Sequence, residues 1–152
     1  MRLADVLKVE AIQTDLDSGD KEDALRALAR ILAGSDQVLD EDTVYRVFSD
    51  RERLASTGVG SGVAIPHGRL DIDHFQLAMA ICREGVPFDS VDGEPARIFV
   101  ALLGPRENPA EQLKMLARIS RVLKDKAVRA RLLAAETGQD ALTILTEEEG
   151  KH

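Results

Sequence analysis

The sequence predicts a single α/β domain over residues 1–152, built as a mixed β-sheet flanked by helices. Three observations carry this reading. Val63–Ile65, Leu77–Cys82 and Ile98–Leu103 are short runs too uniformly apolar to leave one sheet face in water. Stretches before and after them repeat apolar residues at helical spacing. No internal repeat or low-complexity linker divides the chain, so one domain is expected, with 147–152 as a flexible tail.

The first helix is predicted between Ser18 and Gly34. Asp20 suits the N-cap, Ala24, Leu25, Leu28, Ile31 and Leu32 form one stripe, and Gly34 supplies the stop. A second is predicted from Asp42 to Arg53, with Val44, Val47, Phe48 and Leu54 as its apolar stripe and both Arg51 and Arg53 at its C-terminal end. The stretch Ser56-Thr57-Gly58-Val59-Gly60-Ser61-Gly62 reads as a loop whose backbone can approach a ligand closely. Pro87, Asp92-Gly93 and Gly104-Pro105 mark turns between the strands. After Pro109, suited to a first helical turn, Leu113, Leu116, Ile119, Val122 and Leu123 give the clearest helical pattern. Val128, Leu132 and Leu133, then Ala141, Leu142, Ile144 and Leu145, predict two shorter closing helices.

Composition excludes several functions. A net charge of −7, with no basic cluster interleaved with aromatics, argues against nucleic-acid binding. Charges interrupt the apolar residues of the N-terminus, so neither a signal-peptide core nor a membrane span is expected and the reading places the chain in the cytoplasm. The single Cys82, inside an apolar run, reads as a buried structural thiol. His74 follows His67 with Asp71 and Asp73 between them, but the spacing lacks a helical ligand pair and a third soft ligand, so no metal and no cofactor is expected.

The chemistry concentrates at Ile65-Pro66-His67-Gly68. Pro66 restricts Ile65 to extended backbone and puts an imidazole at a strand end among loops. Neutral imidazole is a nucleophile near pH 7, and phosphoryl transfer asks mainly for in-line positioning and donors around the moving oxygens. Glycine amides and one or two arginines could supply those donors.

The run Ser56-Thr57-Gly58-Val59-Gly60-Ser61-Gly62-Val63-Ala64-Ile65-Pro66-His67-Gly68 closely resembles the phosphorylation-site segment of bacterial phosphotransferase-system enzyme IIA domains of the fructose and mannitol type, and within it the nitrogen-regulatory branch. The resemblance continues through Phe88–Pro95, Ala101–Pro105 and the helix from Glu111 to Asp125, and so covers nearly the whole chain. It implies the enzyme IIA fold and a phosphocarrier with His67 as the phosphohistidine. His67 would be charged by an HPr-type phosphocarrier, itself fed from phosphoenolpyruvate through enzyme I. It also places Arg51 beside the phosphate, and Thr57, Gly58, Gly60, Ser61, Gly62 and Gly68 around it. The chain departs from the pattern at Ser61, where asparagine is common, and at Gln112, where the family usually has a second histidine. Glutamine can make an amide hydrogen bond there but carries no titrating charge.

Two outputs follow from the resemblance. Phosphorylation could switch binding to regulatory target proteins, or the phosphoryl group could pass to a separate IIB domain for sugar transport. With no IIB or IIC region in the sequence, the regulatory output is expected to dominate.

Overall fold

The computed structural model describes all residues, 1–152. In chain order it contains α1 (Leu3–Val6), a 3-10 turn at Val9–Ala11, β1 (Ile12–Gln13), α2 (Lys21–Ser35), α3 (Glu41–Leu54), β2 (Gly58–Gly60), β3 (Val63–Ala64), β4 (His67–Leu70), β5 (Gln76–Val86), β6 (Ala96–Pro105), α4 (Pro109–Leu123), α5 (Lys126–Ala134) and α6 (Gly138–Glu149). Four helices begin where a short polar side chain accepts a backbone N–H of the first turn. Asp20 accepts from Asp23, Asp40 from Thr43, Asp125 from Ala127 and Thr137 from Asp140. Helix α4 starts instead on Pro109, whose missing N–H would have had no partner there.

The sheet runs β1-β5-β6-β3-β2, with β4 also paired to β6. Strands β5 and β6 are antiparallel, β3 and β4 run parallel to β6, and β1 runs parallel to β5, so the sheet is mixed as expected. β3 and β4 are two pieces of one lane along β6. The lane breaks at Ile65-Pro66 because proline has no N–H to donate, though the Pro66 carbonyl still accepts from Leu102 N–H at 2.9 Å. Every residue of Leu77–Cys82 and Ile98–Leu103 is buried. These two strands form the floor of a mostly aliphatic core to which Phe88 and Phe99 add one edge-on aromatic pair at 5.5 Å.

Helices α2 and α3 pack on β5 and β4, while α4 and α5 pack on β6. The strand faces follow from two glycines. A Cβ on Gly68 would run into Val47 of α3, whereas one on Gly104 would run into Gln112 of α4 and lie 2.6 Å from Phe75 Cε1. Because side chains alternate along a strand, Gly68 lies on the α3 face, and His67 and Arg69 lie on the α4 face.

Four expectations need correction. Gly58–Gly60 is strand β2, antiparallel to β3, so the glycine stretch is a β-hairpin with its turn at Ser61-Gly62. Three consecutive residues there have positive φ (Gly60 95°, Ser61 57°, Gly62 77°), which explains the glycines flanking Ser61. Gly34 does not stop α2, which runs on to Ser35 and ends when Asp36 N–H bonds Leu32 carbonyl. Leu54 and Leu113 are 82% and 68% exposed, so each stripe loses its terminal member to the surface. Residues 147–149 continue α6 where a tail was expected. Glu148 and Glu149 are buried, and the Glu149 carboxylate accepts from Leu3 and Ala4 N–H at 2.8 and 3.2 Å, capping α1. His152 contacts Glu148 Oε1 at 3.2 Å.

Candidate functional site

His67 opens β4 opposite Leu102 and is partly exposed. Its Nδ1 lies 2.8 Å from the Ile65 carbonyl oxygen. A carbonyl can only accept, so this contact places the ring proton on Nδ1 and leaves the Nε2 lone pair free. Burial pushes the pKa of His67 below its ordinary value; the Ile65 hydrogen bond raises it, Arg51 lowers it and Glu52 raises it, with a lowered net result. The ring is therefore neutral and nucleophilic at pH 7.

The sign of that shift gives a prediction. Below about pH 6.5 the unfolded chain binds a proton at this residue that the folded chain still refuses. The stability contributed by His67 is complete above that pH, declines as pH falls through the window, and stops declining once the folded ring protonates. A histidine nitrogen-15 titration should put the folded midpoint below 6.5; a midpoint above it would contradict the burial argument.

Arg51 lies in the last turn of α3, half-buried, and its Nη1 donates to Ala55 carbonyl at 3.1 Å. Its charge reaches the His67 ring, which is why it lowers that pKa. Arg53 instead pairs with Asp50 at 2.9 Å on the surface, and Arg69 is exposed. Gln112, in the first turn of α4, is 6% exposed, and its Nε2 donates to Gly68 carbonyl at 3.0 Å. Its buried Oε1 has no hydrogen-bond donor. Gln112 therefore braces the backbone beside His67 and holds an unused acceptor.

The glycine cradle expected around the phosphate is largely elsewhere. Val63 pairs with Ile98 and His67 with Leu102, so the hairpin turn is offset by about 13 Å along β6. Ser61 N–H already donates to Asp92 Oδ2 at 2.9 Å, and Gly58 N–H to Ser56 Oγ at 3.0 Å. Gly60 and Gly62 shape the turn, and Gly62 carbonyl accepts from Arg97 and Ile98 N–H at 2.8 and 2.9 Å. Thr57 is buried, with its N–H and hydroxyl both given to Glu52. Of the residues predicted around the phosphate, His67, Arg51, Gly68 and Gln112 share one neighbourhood, while Gly60, Ser61 and Gly62 sit at the far end of the hairpin.

Glu52 is the residue that sequence reading missed. A glutamate between two arginines near a helix end looks like a solvated surface charge, and only its burial distinguishes it. His74 contacts Asp73, Gln76 and Asp36, the last at 3.6 Å. No group of three or more His, Cys, Asp or Glu side chains is arranged to hold a metal ion. No helix is long and apolar enough to cross a membrane.

Residues 5–148 match the family described as "Phosphoenolpyruvate-dependent sugar phosphotransferase system, EIIA 2". The chain belongs to that family. A "Nitrogen regulatory protein" of Bradyrhizobium diazoefficiens is 36% identical to this enzyme IIA domain over 146 residues, covering 95% of each chain. A "PTS system fructose-specific EIIA component" of Haloferax volcanii is 32% identical over 146 residues, again covering 95% of each. Among solved structures, the nitrogen regulatory protein IIA-Ntr from Neisseria meningitidis superposes with a TM-score of 0.87 at 30% identity, covering 94% of this chain and 98% of its own. The resemblance read from the glycine and Ile-Pro-His-Gly segment is thus borne out, and so is the enzyme IIA fold. Membership implies phosphotransfer partners, since the family hands phosphoryl groups from one protein to another.

Proposed function

We propose that this enzyme IIA domain is a cytoplasmic regulatory phosphocarrier in which His67 Nε2 takes a phosphoryl group from an HPr-type carrier and the phosphorylation state governs binding to target proteins. The observation that carries the proposal is the His67 Nδ1 contact with Ile65 carbonyl, which presents Nε2 as the nucleophile. In the transfer, the Nε2 lone pair forms the new P–N bond as the bond from phosphorus to the carrier's histidine breaks. The departing electron pair returns to the carrier's ring. The His67 ring gains positive character, which its Nδ1–H hydrogen bond to Ile65 disperses, while the Arg51 guanidinium stands near enough to offset charge on the phosphoryl oxygens. The added negative charge would then alter the surface around His67.

The regulatory output is favoured by the higher identity to a nitrogen regulatory protein, 36% against 32% for the fructose-specific relative, and by the TM-score of 0.87 to IIA-Ntr. Transfer to a separate IIB domain in sugar uptake is the second reading, supported by the fructose-specific relative. Incubation with phosphoenolpyruvate, enzyme I and an HPr-type carrier should add one acid-labile phosphoryl group. Rapid discharge to a fructose-type IIB domain would favour the second reading; a stable phospho-form that changes affinity for a target protein would favour the first.

Gln112 bears on the same choice. It can brace Gly68 but cannot shuttle a proton or carry charge. Gln112→His is therefore expected to speed onward transfer several-fold in a chase with acceptor protein. An unchanged rate would show that this position takes no part in the relay.

A further inference from the structure

Glu52 sits in the last turn of α3, where the negative end of the helix dipole disfavours a carboxylate, and its side chain is only 5% exposed. Such a group is costly to bury unless it is thoroughly paired. Its partners are specific. Thr57 N–H lies 2.9 and 3.1 Å from its two oxygens, Thr57 Oγ1 donates at 2.6 Å, and Lys21 Nζ of α2 stands at 3.0 Å. Lys21 is itself held by Asp89 at 3.0 Å and lies over the Phe88 ring.

Thr57 does not end the chain of contacts. Its carbonyl accepts from Ile65 N–H at 2.9 Å, and the Ile65 carbonyl accepts from His67 Nδ1–H at 2.8 Å. Between Ile65 and His67 stands only Pro66, whose φ is locked by its ring. A displacement of Thr57 is therefore passed to Ile65 and then to the acceptor that selects the His67 tautomer. Glu52 also lies within electrostatic reach of that ring, where it opposes the effect of Arg51.

We infer that Glu52 is a positioning residue for His67: through Thr57 and the Ile65 backbone, its buried carboxylate holds the ring with the proton on Nδ1 and with Nε2 facing outward. The kinetic consequence rests on the reading of His67 as the phosphoryl acceptor, but the tautomer does not.

Nitrogen-15 spectra of the histidine ring in the full chain test this directly, alongside the rate of phosphorylation by the carrier. In the unaltered protein the Nδ1–H tautomer should dominate. Glu52→Gln and Thr57→Val should each give a mixture of tautomers and slow phosphorylation about tenfold, in the range that loss of orientation produces. Thr57→Ser, which keeps the hydroxyl, should behave as the unaltered protein. A folded Glu52→Gln protein with an unchanged tautomer ratio overturns the inference. Should that variant fail to fold, the threonine pair decides: equal tautomer ratios in Thr57→Val and Thr57→Ser overturn it as well. If the unaltered protein accepts no phosphoryl group, the acceptor reading fails, while a tautomer shift in the variants still upholds the positioning role.

Discussion

Replacing His67 with alanine is expected to abolish phosphoryl acceptance while leaving the fold in place. The two effects separate because the ring is partly exposed and contributes one hydrogen bond, to Ile65 carbonyl. Loss of a bond of that kind costs about 1 kcal/mol, which for a chain of this length lowers the melting temperature by only about 2–4 °C. The chemistry has no substitute. His74 and His152 are engaged with acidic side chains elsewhere, and Cys82 is buried inside β5. Labelling from phosphoenolpyruvate through enzyme I and the carrier should therefore fall to background in a protein that still melts cooperatively. Equal labelling of the variant would move the site to another residue.

The second large effect is expected from Gly68→Ala. A methyl group there would overlap Val47 Cγ1 of α3, and a β-branched side chain in a helix has almost no alternative rotamer to retreat into. Either the helix or the edge lane must move. Overpacking of this kind costs about 1–3 kcal/mol, and at this site it also displaces His67 relative to Arg51 and pulls Gly68 carbonyl from Gln112. We expect a clear drop in melting temperature together with a fall in phosphorylation rate of about tenfold or more. Val47→Ala combined with Gly68→Ala should recover most of both, because it removes the methyl that collides. Failure of the double variant to recover either quantity would show that Gly68 matters for some reason other than its approach to α3.

Much of the fold is legible from local pattern. Leu77–Cys82 and Ile98–Leu103 read as buried strands because both faces of the central sheet are covered by helices, so the apolar runs are unbroken. The Asp20 cap and the Pro109 start read as helix beginnings because each has a local mechanism. Strand β4 does not read as a strand. His-Gly-Arg-Leu lacks any alternation, and its pairing comes entirely from β6, more than thirty residues later. The stripe ends at Leu54 and Leu113 misread for a related reason: periodicity places a side chain on a helix face but cannot say whether the neighbouring layer extends far enough to cover it.

The candidate site divides in the same way. Sequence alone determined the family, the candidate acceptor His67 and the extended backbone before Pro66, because each depends on residues adjacent in the chain. The tertiary structure decided which ring nitrogen is free, that Gly60, Ser61 and Gly62 turn a hairpin away from His67, and that Gln112 braces Gly68. It also decided that a glutamate flanked by arginines is the buried anchor of Thr57. The Gln112 brace joins residues 44 apart in sequence, whereas the His67–Ile65 and Glu52–Thr57 contacts join near neighbours; all of them depend on three-dimensional geometry and on burial, which sets how much a charge or an unpaired acceptor costs. Neither can be read from a pattern of neighbours.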